Sequence, residues 1–133
     1  MEAYALDAID HAKSSMRIDL DFSPDSVKEV ESILDVMFKT RPAGIVAKLL
    51  KRGPSPEAVD TFSKAYGGYI GEVLRKLGGG EWFFDTQIAP GQRVIGLQKS
   101  NQRLWPTAKV GKRLTNGPED NVWHYFQIIR EKW

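Results

Sequence analysis

Glu72 is the side chain best placed to do chemistry, lying in Tyr69-Ile-Gly-Glu-Val-Leu74 with Gly71 beside it. As a general base it would need a raised pKa and a position against a substrate. As a structural group it would pair with Lys109, Lys112 or Arg113, from a short basic segment later in the chain. A carboxylate beside glycine accepts backbone and arginine contacts without steric conflict, so the structural ion pair is the favoured reading. The two histidines, His11 and His124, stand far apart and in no metal-ligand spacing, and each reads as a surface or packing residue. With no cysteine there is no thiolate nucleophile, disulfide or cysteine-based zinc site. The serines lack a nucleophile-elbow context. No catalytic set is assigned, and no cofactor or metal is expected.

Gly78-Gly-Gly80 has the composition of a phosphate loop but the wrong order. A phosphate cradle runs from strand through glycines into a helix N-terminus, whereas these glycines follow a helical pattern and precede an aromatic strand. They read as a helix cap and a sharp reversal. Lys99, Arg103, Lys109, Lys112 and Arg113, with Trp105 nearby, could hold phosphates while an aromatic ring stacks on a base. The net charge is only +2 and no nucleic-acid module signature is present. An ion-paired or solvated surface is preferred for them, and nucleic-acid or anionic-ligand binding through 99–113 is kept as the second functional hypothesis.

Charge is distributed unevenly. Residues 1–38 carry nine acidic and three basic side chains, and residues 39–115 carry fourteen basic and five acidic ones. Such a split gives either one acidic and one basic surface or internal pairing between helices. Asp19, Asp21, Asp25, Glu29 and Asp35 form the candidate partner-binding face, the plain alternative being a solvated helix face. Of the four tryptophans, Trp82 and Trp105 sit in strand-like context and read as core, while Trp123 and Trp133 are the better candidates for exposed contact.

The elements that position these groups follow from periodicity. A first helix is predicted over residues 2–16, with Leu6, Ile9, Ala12 and Met16 on one face. Ser23-Pro24 starts a second, whose stripe is Val27, Val30, Ile33, Leu34, Met37 and Phe38. Arg41-Pro42 breaks it, a short apolar helical piece follows over Ala43 to Leu50, and Ser55-Pro56 repeats the start signal. The helix that follows carries Val59, Phe62, Tyr66, Tyr69, Ile70, Val73 and Leu77 on its main face, with Ala65, Gly68, Gly71 and Glu72 on another. Each internal glycine costs about 1 kcal/mol relative to alanine, so Gly68 and Gly71 are expected to face backbone or small residues of another element at close range. Strands are predicted over 81–86, 93–98 and 103–105, with a turn at Ala89-Pro-Gly-Gln92. A short basic helix from Thr107 to Leu114 follows, and Pro118-Glu-Asp120 opens the last helix with acids in its first turn.

The 133 residues make a single domain, 1–133, of ordinary soluble composition. The N-terminus has no basic segment followed by an apolar run, so no secretory signal is expected, and no run approaches the roughly 20 apolar residues that span a bilayer. A cytoplasmic protein without membrane association is the expectation. Helices followed by a strand cluster give an α+β class, with helices packed on a small antiparallel three-stranded sheet.

The runs Tyr69-Ile-Gly-Glu-Val-Leu74, Gly79-Gly-Glu-Trp82, Trp105-Pro106, Lys109-Val-Gly-Lys-Arg-Leu-Thr-Asn-Gly-Pro-Glu-Asp120 and the start Leu20-Asp-Phe-Ser-Pro-Asp-Ser26 together resemble the DUF3806-type family, small bacterial proteins of unknown function. The resemblance spans roughly residues 18–128 and brings no catalytic assignment. It implies, by analogy, a role such as immunity to a secreted bacterial toxin. The expected function is therefore a non-enzymatic protein-binding one, with a cognate toxin as partner. Binding through 99–113 is the alternative, and an enzyme using Glu72 is the third and least favoured reading.

Overall fold

A computed structural model describes residues 1–40, 54–86 and 94–133. The helical piece over 43–50, the break before it and the turn over 89–92 lie outside the described residues. Among the described residues, five α-helices pack on a three-stranded antiparallel sheet, an α+β arrangement. The helices are α1 (Glu2–Met16), α2 (Ser26–Lys39), α3 (Pro56–Gly78), α4 (Pro106–Asn116) and α5 (Val122–Lys132). The strands β1 (Glu81–Asp85), β2 (Val94–Lys99) and β3 (Gln102–Leu104) lie in the order β1-β2-β3.

The central element is α3. Ser55 caps it by accepting from the Ala58 N–H, and Pro56 occupies the first turn. Every residue from Ala65 to Leu74 is buried, so the helix is covered on both sides, and each internal glycine has its own neighbour. A Cβ on Gly67 would lie 2.4 Å from the Thr107 Cα at the start of α4. One on Gly68 would lie 2.9 Å from the Tyr4 Cβ and 3.4 Å from the Met1 carbonyl oxygen. Gly71, expected to face backbone or a small residue, instead makes room for the large Trp82 indole, whose ring carbons would come within 2.1 Å of an added Cβ. Leu77, expected on the buried face, is 48% exposed, because the helix has passed the elements covering it.

The same close approach sets the face of α1. Its buried residues are Ala5, Ala8 and Ala12, while Leu6 is half exposed. Alanine, not leucine, fits where two helix backbones meet across a glycine. The contact is fastened by His11, whose Nδ1 lies 2.6 Å from the Tyr66 hydroxyl and whose ring sits 4.5 Å from that of Phe62. Burial holds His11 below its ordinary value of 6.5. The unfolded chain therefore takes up the proton first. Stability from neutral His11 is complete above the unfolded value of about 6.5 and is lost as pH falls through it toward the folded value. The urea midpoint should accordingly drop between about pH 7.5 and about pH 5.5, and His11→Gln should make that drop smaller. An equal drop in both proteins would remove His11 as its source.

The second helix shows the expected stripe, with Val27, Val30, Ile33 and Leu34 buried. It begins at Ser26, later than Ser23-Pro24 implied, because Ser23 closes a turn of its own, accepting from the Ser26 N–H and hydroxyl. In the sheet, Trp82 pairs with Leu97 and Phe84 with Ile95 on one face, while Phe83 pairs with Gly96 on the other. The Phe83 ring comes close over Gly96, where a Cβ would meet it at 2.3 Å. The last helix also starts later than expected. Pro118–Asp120 is a separate 3-10 turn, and Asn121 caps α5 by accepting from the His124 N–H. Asp120 is thereby released to pair with Lys109 at 3.1 Å. Among the described residues no helix is long and apolar enough to cross a membrane.

Candidate partner-docking surface

The acidic loop between α1 and α2 is built by alternation and one tyrosine. The chain leaves α1 through Arg17, in the left-handed region at φ 56°. Leu20 is then buried while Asp19 and Asp21 stay exposed, as an extended segment lying on a core requires. Phe22 takes φ 62°, an unusual conformation for an aromatic residue. Its N–H donates to the Tyr69 hydroxyl at 2.8 Å, and its ring stacks on Tyr69 at 5.1 Å. The Tyr69 hydroxyl also shares a 2.6 Å hydrogen bond with the Ser26 hydroxyl. Burial pushes the Tyr69 phenol up, keeping it neutral. Lys76 covers the outer side of Phe22, 4.7 Å from the ring centre.

This clamp presents carboxylates on a fixed backbone. Asp21 accepts from the Ser23 N–H at 3.0 Å, and hydrogen bonding to Ser23 holds its carboxyl below the usual range, so it is ionised at neutral pH. Asp25 occupies the N-cap position of α2 without a side-chain cap bond. It and Glu29, one turn on, are exposed. Asp19 meets Lys13 at 3.3 Å, both side chains largely in solvent, where such a pair holds little energy.

Asp35 belongs elsewhere. It accepts from Arg113 at 2.6 Å and pairs with Lys39 at 2.8 Å. Arg113 is 1% exposed and also grips both oxygens of Glu31, at 2.9 to 3.1 Å. Glu31 in turn accepts from the Val122 N–H at 3.0 Å, so one carboxylate joins α2, α4 and the first turn of α5. The sequence reading missed Glu31. The signal was present in the four-residue spacing of Glu31 and Asp35, which puts both acids on one face of α2.

The expected pairing of Glu72 with the basic helix is corrected in the same way. Glu72 is buried as anticipated, but its partner is Arg75, one turn along α3, at 2.6 Å. Arg75 also donates to the Gly80 carbonyl at 3.2 Å. Lys109 is paired with Asp120, and Arg113 with Glu31 and Asp35. Lys112 is exposed. Glu72 lines an open cavity of about 200 Å³ together with Glu2, Phe22, Arg75 and Lys76.

Trp133 is more engaged than an exposed contact residue. Its indole lies across the triple glycine, with Nε1 donating to the Gly79 carbonyl at 2.9 Å. A Cβ on Gly80 would meet the ring at 2.9 Å. Gly79 and Gly80 have φ of 86° and 131°, so the reversal role holds, and the glycines also seat the tryptophan. Trp123 is half-buried, stacked on Phe126 at 6.0 Å with Arg130 over its ring.

No protein-family model, curated protein or solved structure matches this chain. The α+β fold and the residues above therefore carry the functional argument alone.

Proposed function

We propose that this is a non-enzymatic, cytoplasmic protein-binding protein of the immunity type, which occludes a cognate toxin. The observation that carries the proposal is the loop in which Asp19, Asp21 and Asp25 are held outward on a backbone clamped by Tyr69. A rigid acidic edge suits a basic active-site cleft, because preordered charge steers encounter and loses little entropy on docking. The resemblance to DUF3806-type proteins belongs to the same proposal and rests on its motif residues alone.

The basic segment favours this reading over nucleic-acid binding. Lys99 donates to the Trp133 carbonyl, Lys109 is paired with Asp120, and Arg113 is buried against two carboxylates. Arg103 and Lys112 are left facing solvent, a small footprint for a phosphate backbone.

The test is a pull-down from the native host, followed by association kinetics at low and physiological salt. Asp21→Lys and Asp25→Lys should each slow association about tenfold at low salt, with less effect as the Debye length shrinks to about 8 Å. Their unfolding midpoints should stay near that of the parent. Salt-sensitive retention on nucleic acid without a protein partner would transfer the function to 99–113. Association that ignores both the substitutions and the salt would place the interface elsewhere, on Trp123 and Trp133.

A further inference from the structure

The cavity beside Glu72 carries charges of both signs that the fold leaves only partly matched. Glu72 is 4% exposed, yet among the described residues it accepts from one donor, the Arg75 guanidinium, through Oε2. A carboxylate has room for about four such bonds, and an acceptor left unmet in a buried group is costly. Arg75 and Lys76 follow Glu72 by three and four positions, which puts all three on one face of α3. Arg75 uses Nε on the Gly80 carbonyl and Nη1 on Glu72. Among the described residues Lys76 enters no ion pair, and its ammonium stands 4.7 Å over the Phe22 ring. Glu2, in the first turn of α1, is exposed and equally without an ion pair among those residues.

The lining thus combines two carboxylates, two cations and the Phe22 ring around about 200 Å³. A simple cation would meet Arg75 and Lys76 as like charges, and a simple anion would meet Glu2 and Glu72 in the same way. A molecule with one charge of each sign, a few bonds apart, finds a partner for both. The space is below the roughly 300–1,000 Å³ of sites for drug-sized ligands, so the occupant is small. We propose that this cavity binds a free α-amino acid as its zwitterion. Glu72 Oε1 and Glu2 take the α-ammonium, Lys76 and Arg75 Nη2 take the α-carboxylate, and Phe22 gives the side chain an apolar wall. The site requires no protein partner and goes beyond the docking role.

Three probes of one size separate the charges: L-alanine, L-alaninamide with the ammonium alone, and propionate with the carboxylate alone. Binding at neutral pH is read from the amide NMR shifts of Phe22 and Arg75. Alanine should give a saturable shift at millimolar concentration, and each single-charge probe should bind at least about tenfold more weakly, having lost one charged hydrogen-bonding group. Lys76→Met should weaken alanine and leave alaninamide unchanged. Glu72→Gln should weaken alanine and leave propionate unchanged. A purely structural role for either residue would not produce this crossed pattern. Circular dichroism checks that each variant folds. Lys76 is exposed, so Lys76→Met decides the outcome should Glu72→Gln fail to fold. No saturable shift with alanine, equal binding of either single-charge probe, or unchanged alanine affinity in Lys76→Met would each overturn the assignment. The docking face is judged separately, since Asp21 and Asp25 are not among the residues lining this cavity.

Discussion

Arg113→Ala should lower the stability of the protein by about 3–5 kcal/mol, the cost of stranding buried charges whose partner has been removed. The guanidinium is 1% exposed and holds Glu31 and Asp35 at 2.6 to 3.1 Å. Removing it leaves the two carboxylates without their shared cation, Asp35 keeping Lys39 and Glu31 keeping the Val122 N–H. Urea unfolding followed by fluorescence and by circular dichroism would measure the loss. A combined Arg113→Met, Glu31→Gln, Asp35→Asn variant should recover much of it, since a buried ion network is often replaceable by neutral groups of similar shape. A loss below about 1 kcal/mol for Arg113→Ala would mean that the network behaves as a surface pair. The carboxyl of Asp35 is held below its ordinary value by Lys39 and then by Arg113. Its contribution is therefore complete above the unfolded carboxylate value and is lost as pH falls through that value toward the folded one.

Gly67→Ala should be the most damaging of the alanine substitutions in the glycine-bearing helix. Its Cβ would lie 2.4 Å from the Thr107 Cα and 2.7 Å from the Thr107 nitrogen, both backbone atoms in the first turn of α4. Relief requires moving a whole helix that is tied to β2, where the Thr107 hydroxyl donates to the Ile95 carbonyl at 3.3 Å. Overpacking costs about 1–3 kcal/mol and occasionally more, while the gain in helix propensity returns about 1 kcal/mol. A net loss of up to about 2 kcal/mol is expected, seen as a lower thermal midpoint. At Gly71 the obstacle is the Trp82 ring, a side chain that can turn aside, so Gly71→Ala should cost less. Gly71→Leu exceeds that space and should again cost several kcal/mol, at or above the usual range of about 1–3. A midpoint for Gly67→Ala at or above that of Gly71→Ala would show that α4 yields where Trp82 does not.

What the sequence determined about this protein is what lies within one element or between neighbours along the chain. The stripe of α2, the Ser55-Pro56 start of α3, the strand pattern after the triple glycine and the α+β class all follow from local periodicity and capping. The crowding around Gly68 and the burial of Glu72 were legible too, since glycine inside a helix is costly unless something stands close. Partner choice was not legible. Glu72 was matched to a distant basic helix, yet a residue three positions away reached it first. Arg113 was matched to Glu72, yet its acids lie 78 and 82 residues away on α2. Opposite charge says that a pair can form, and only the packing of α2, α4 and α5 says which atoms come within reach. The same holds for α1, where Leu6 has the hydrophobicity for the core but Ala5, Ala8 and Ala12 have the size. It holds again for Trp133, whose seat exists only because three glycines fold back beneath it. Periodicity is a property of the chain, and steric fit across |i−j| of tens of residues is a property of the fold.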